Sequence, residues 1–147
     1  MNSALDADIS SRADKAGRTL MAIDVLLTLF AVANGVKLMI DASDGTLVLQ
    51  AWQTFAFVLF AALWASVVLW PRRIPGTWEL LMGHKIAIVT FCLLVSDVPD
   101  AKVTAGIDGY LVISTITAYI LCKGWRAWGP FLPSASRPSR AYADLVR

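Results

Sequence analysis

Long apolar runs, separated by short polar joints, dominate the chain. A bilayer core of about 30 Å takes about 20 helical residues at 1.5 Å each. Four segments reach that length: about Thr19 to Ile40, Leu47 to Trp70, Trp78 to Val98 and Ala105 to Trp125. The second contains no formally charged residue. The third reaches spanning length only by taking in Leu80–Lys85, because the uncharged stretch Ile86–Ser96 is too short alone. His84 and Lys85 are therefore expected inside the span, roughly 9–10 Å from its start.

The joints are marked by turn chemistry. "DASDG" (41–45) divides the first two spans, "PRRIPG" (71–76) the second and third, and "SDVPDAKVTAG" (96–106) the last two. The prolines of the second joint cannot continue a helix. "GPFLPSASRPSR" (129–140) ends the helical part and reads as a loose tail, with "SRAYADLVR" (139–147) open to a short helix capped by Ser139. The expected architecture is an all-α integral membrane protein, a four-transmembrane-helix bundle. It comprises a tail over 1–18, a helical domain over 19–128 and a flexible basic tail over 129–147.

Composition supports the same class. The 147 residues are 57% hydrophobic and 16% charged, whereas soluble domains run near about 45–50% and about 25%. That length leaves no room for a soluble catalytic domain beside four spans.

Charge sets the expected orientation. The N-terminal tail (Arg12, Lys15, Arg18), the second joint (Arg72, Arg73) and the C-terminal side (Lys123, Arg126, Arg137, Arg140, Arg147) fall on one side and hold ten of the thirteen basic residues. The opposite joints hold Asp41, Asp44, Asp97 and Asp100 against Lys102. The positive-inside rule places both termini in the cytoplasm of a multi-pass protein of the cell (inner) membrane. Trp70, Trp78, Trp125 and Trp128 then form an inner aromatic belt, with Trp52 and Tyr110 near the outer face. Residues 1–33 loosely resemble a signal peptide with "AVA" (31–33) as a cleavage site, but Asp24 interrupts its apolar core.

Ionisable residues inside spans are costly and usually pair or face a cavity. Asp24 matches His84 and Lys85 in expected depth, and Lys37 matches Asp108. With Asn34 between them, these six residues form a candidate polar seam through helices 1, 3 and 4, leaving helix 2 mostly towards lipid. Lys37 and Lys85 are also near enough to the interfaces to snorkel. His84 is either a packing residue or, with an ordinary pKa near about 6.5, a proton carrier. Small residues, Ala31, Gly35, Ala61, Ala62, Ala65 and Gly83, offer close helix approach.

Several chemistries lack their residues. One histidine and two cysteines make no zinc cluster, and a bis-histidine haem would need His84 from a second subunit. Cys92 and Cys122 lie at depths too different for a disulfide. Phosphate-binding glycine loops, nucleophile elbows and H-E-x-x-H are absent. Arg72–Arg73 fits a loop anchor to anionic phospholipid. No cofactor, metal or nucleic acid is expected.

"GVKLM" (35–39), after "GRTLMAIDVLLTLFAVAN" (17–34), looks like the first helix of the DoxX-like family of small four-span proteins, which pairs an early arginine with a late Gly and Lys. Arg18 is too far from Gly35 for that pattern, Lys37 follows Gly35 too closely, and the rest of the chain adds no match. Small multidrug-resistance exporters are similar in size alone. No family is assigned on this basis. The functional expectation is a non-enzymatic accessory or assembly subunit, or a scaffold, with a protein partner or further copies of itself. The alternatives are a small oligomeric transporter or channel component, and a membrane enzyme or redox subunit acting on a lipid or quinone.

Overall fold

A computed structural model describes residues 10–132. Four long helices, α1 (Ser11–Ile40), α2 (Asp44–Leu69), α3 (Thr77–Leu94) and α4 (Ala101–Leu121), precede a 3₁₀ helix, Gly124–Phe131. No strand occurs among the described residues. All four long helices are long and apolar enough to cross a membrane. Their outward faces expose large apolar side chains such as Leu26, Phe30, Leu49, Leu94 and Ile113. Apolar surface all round is the pattern of helices whose surroundings are not water.

The chain forms two hairpins. α1 and α2 turn through 41–43, α3 and α4 through 95–100, and the joint 70–76 links the pairs at the opposite end. We call the two turns the hairpin end, and the end where α1 starts and α4 finishes the terminal end. α1 packs mainly on α2, α3 on α4, and α1 also on α4, whereas α2 meets α3 lightly.

Helix bounds differ from the expected spans for local reasons. α1 begins at Ser11, well before Thr19, because Arg18 donates to Asp14 at 2.8 Å one turn back. An acid in a first turn also suits the helix dipole. α3 stops at Leu94, ahead of Pro99. α4 starts at Ala101, just past Asp100 in the left-handed conformation (φ 65°). The region expected to become tail from Gly129 is helical to Phe131. The remaining tail, including Arg137, Ser139, Arg140 and Arg147, and residues 1–9 lie outside the described residues.

The terminal end is clasped. Buried Arg72 donates to the Asp14 carboxylate and, at 3.0 Å, to the Cys122 carbonyl. Arg18 donates to the Val68 carbonyl at 2.7 Å. Thus one carboxylate on α1 gathers the joint 70–76, and through it the ends of α2 and α4. Arg72 is therefore a clasp residue and not the exposed lipid anchor that its loop position suggested; Arg73 remains exposed. Trp78, expected in the aromatic belt, is core instead: it is 1% exposed and donates to the Pro71 carbonyl at 2.7 Å. Gly17 lets α1 meet α4: a Cβ there would come within 2.6 Å of Cys122 Sγ.

The core sits in the same half. Met21, Trp64, Val67, Trp78, Leu81 and Ala118 belong to one buried cluster. Each lies on the terminal portion of its helix. Helix 2, expected to face mostly lipid, buries Thr54, Phe60, Ala61, Trp64 and Val67. Most of its other large apolar side chains, among them Leu49, Trp52, Phe55 and Leu59, are exposed. Of the small residues singled out in the sequence, Ala61 is buried and Gly35 abuts Thr54, whereas Ala62 is exposed and Gly83 has open space beside it.

Candidate functional site

Buried positions recur at alternating steps of three and four: Gly17, Met21, Asp24 and Thr28 on α1, Trp78, Leu81 and Lys85 on α3, and Asp108, Leu111, Thr115, Ala118 and Cys122 on α4 and just beyond it. That is the stripe along which antiparallel helices pack. It carries three ionisable side chains into the bundle.

Lys85 and Asp108 form the central contact. The Lys85 ammonium donates to Asp108 Oδ1 at 2.7 Å, and the residues are 6% and 7% exposed. Across the bundle the same ammonium faces the rings of Phe60, at 5.0 Å, and Trp64, at 5.6 Å. These distances are within cation–π range. Lys85 is thus held by its own hairpin and faces aromatics of the other.

Asp24 lies in a separate layer. It is fully buried and accepts a hydrogen bond from Ser114 Oγ at 2.7 Å. Its other oxygen, Oδ1, has no hydrogen-bond partner. Thr28 closes this layer by donating to the Asp24 backbone carbonyl at 2.7 Å. Along α4 the two layers are six residues, about 9 Å, apart.

The pairing therefore differs from the expected one. Asp24 joins neither Lys85 nor His84, and Lys37 does not join Asp108. Lys85 lies nine residues before the end of α3 and Asp108 seven after the start of α4, about 13 Å and about 10 Å from the hairpin end. The early start of α4 carries Asp108 inward to the level of Lys85. Lys37 is exposed near the end of α1, with no ion pair among the described residues.

Above the ion pair the hairpins part. A cavity of 840 Å³ opens there, lined by all four helices. Its walls are mainly apolar and aromatic, including Phe57, Phe60, Trp64 and Tyr110. Asn34, Gln53, His84, Lys85, Thr104 and Asp108 add polar groups. His84 is off the buried stripe and exposed, and its ring lies 4.3 Å from that of Phe60 at a 43° tilt. Of the six seam candidates, four line this cavity: Asn34, His84, Lys85 and Asp108.

Sequence reasoning missed Ser114, Phe60 and Trp64. Ser114 was legible in part, since a polar residue three positions after Leu111, beside the α4 stripe, should meet another helix. The aromatics carried no such mark. Cys92 and Cys122 are free. Among the described residues, no cluster of three or more His, Cys, Asp or Glu could hold a metal. Comparison with known proteins finds no family model, no curated protein and no solved structure that matches the chain.

Proposed function

We propose that the chain is a multi-pass protein of the cell membrane, with both termini in the cytoplasm. In this reading it holds an amphipathic small molecule in the crevice between its hairpins. It serves a larger membrane protein, or further copies of itself, as a non-enzymatic accessory subunit. The crevice carries the proposal. Its 840 Å³ falls in the range of small-molecule sites, about 300–1,000 Å³, and it has their make-up of apolar walls with a few convergent polar groups. The weighting of Lys and Arg to the terminal end supports the orientation.

The test is purification from native membranes in a mild detergent, followed by mass spectrometry of what remains bound. The expected result is a lipophilic molecule at near-stoichiometric amount on the natural protein, and its loss from Ala31→Trp, which fills the crevice. Equal small-molecule content in both proteins would overturn the reading. Protein partners recovered in the same experiment would identify the larger assembly.

A second reading, a small proton-coupled transporter, is favoured by Asp24, a buried carboxyl with one unpartnered oxygen. It requires that Asp24→Asn abolish pH-driven flux in vesicles. Unchanged flux would remove it.

A further inference from the structure

We infer that the crevice takes a neutral, flat ring bearing carbonyl or hydroxyl groups on an apolar tail, the chemistry of a lipophilic quinone, with Lys85, Asp108 and His84 meeting the polar head. This rests on the reading of the crevice as a ligand site.

Charge is the first argument. The floor holds one cation and one anion in contact, so it is neutral as a pair. An anionic head would lie beside Asp108, with Asp24 deeper in the bundle, and a cationic head beside Lys85. Either adds an uncompensated charge to a crevice whose walls are mainly apolar. A neutral head avoids that cost.

Hydrogen bonding is the second. An ammonium has three donors, and Lys85 gives one to Asp108. A carboxylate accepts at two oxygens, and only Oδ1 of Asp108 receives Lys85. His84 lines the cavity with a ring that can both donate and accept. In the oxidised form the ring carbonyls accept from Lys85 or His84, and in the reduced form the hydroxyls can also donate to Asp108 or His84.

Shape is the third. Phe57, Phe60, Trp64 and Tyr110 present aromatic surface in the same cavity, which favours a flat ring over an acyl chain. The rim, with Phe30 and Ile107 exposed, continues onto the apolar outer surface, so a tail can leave sideways without meeting a polar barrier.

The experiment is native mass spectrometry of the full chain released from detergent after incubation with decylubiquinone. Dodecanoic acid and dodecyltrimethylammonium serve as the anionic and cationic probes. The expected result is a saturable 1:1 quinone adduct, weakened at least roughly tenfold in His84→Ala and in the Lys85→Met/Asp108→Leu pair. His84 is exposed, so its replacement tests the head contact without endangering the fold; the paired change keeps the floor neutral. Dodecanoic acid or the ammonium probe binding as tightly as the quinone would overturn the quinone assignment while leaving the ligand crevice standing. Quinone binding that is unmoved in both variants would also overturn it. No saturable adduct with any probe would count against both.

Discussion

Replacing Lys85 with methionine removes one side of the buried ion pair and little of the volume. Asp108 then stays among apolar groups, 7% exposed, without the ammonium 2.7 Å away. Breaking a buried pair from one side costs about 3–5 kcal/mol, because the remaining charge is uncompensated. The loss of the cation over Phe60 and Trp64 adds to this, but the crevice lies open above Asp108 and water entering there offsets part of it. The expected destabilisation is therefore about 3 kcal/mol, at the lower end of that range. Adding Asp108→Leu should recover most of it, since an apolar pair of similar volume is about neutral or better. The coupling in the double-mutant cycle should then be at least about 2 kcal/mol, and larger by whatever Asp108→Leu alone costs in leaving the Lys85 ammonium unpaired. Equilibrium unfolding in mixed micelles, followed by far-ultraviolet circular dichroism, measures all four proteins. A cost below about 1 kcal/mol for Lys85→Met, the range of solvent-exposed pairs, would refute the claim that the bundle shields this contact. So would additive single effects.

Three further predictions concern the terminal end. Gly17→Val should destabilise by about 1–3 kcal/mol, as overpacking does, because even a Cβ there comes within 2.6 Å of Cys122 Sγ and 3.2 Å of the Ala118 carbonyl; thermal melting in detergent reads it. Arg72→Ala should cost about 2–4 kcal/mol, since it leaves the Cys122 carbonyl and one Asp14 oxygen without this donor; loss of protection of the 70–76 joint in hydrogen exchange should accompany the fall. Gly124→Ala should loosen the Trp78–Tyr119 contact, because its Cβ would meet the Tyr119 ring at 2.4 Å and Trp78 Nε1 at 2.8 Å; a change in near-ultraviolet circular dichroism, with helix content kept, is the expected signature.

The four helices were legible from hydropathy because length and apolar content are properties of one segment at a time. Which faces turn inward is a relation between segments. Even so, the three-and-four spacing from Gly17 to Thr28 on α1, and from Asp108 to Cys122, was present in the sequence. It would have separated Asp24, Lys85 and Asp108 from Lys37, which lies off the stripe. Depth matching failed at the last joint. A shift of four residues in the start of α4 moves Asp108 by about 6 Å, enough to exchange one partner for another. The one sign of so early a start was Asp100, an N-cap residue type directly before Ala101. Arg72 misled for a different reason. An arginine in a short loop is ordinarily solvated, and only the extension of α1 back to Asp14 turns it inward.

The two ends of the bundle differ in a way that bears on function. Inside a bilayer, apolar contact supplies little net drive for helices to associate, and close packing and hydrogen bonds must do so. For a chain read as membrane-spanning, Arg72 bridging Asp14 and the Cys122 carbonyl, the Gly17–Cys122 contact and the Ser114–Asp24 hydrogen bond join the hairpins. At the hairpin end the close approach of Gly35 to Thr54 lies within the first hairpin and ties it to nothing else. The second hairpin is closed on itself by Lys85 and Asp108. Where the hairpins part, the ion pair of the second meets the first, among the described residues, only through aromatic contacts of Phe60 and Trp64. Alanines at positions 31 and 56 face the gap where larger side chains would fill it. A bundle selected only to stay closed would gain dispersion contacts from such filling. Small residues above a satisfied ion pair instead leave room beside groups that can still donate and accept, which is the arrangement a bound head group requires.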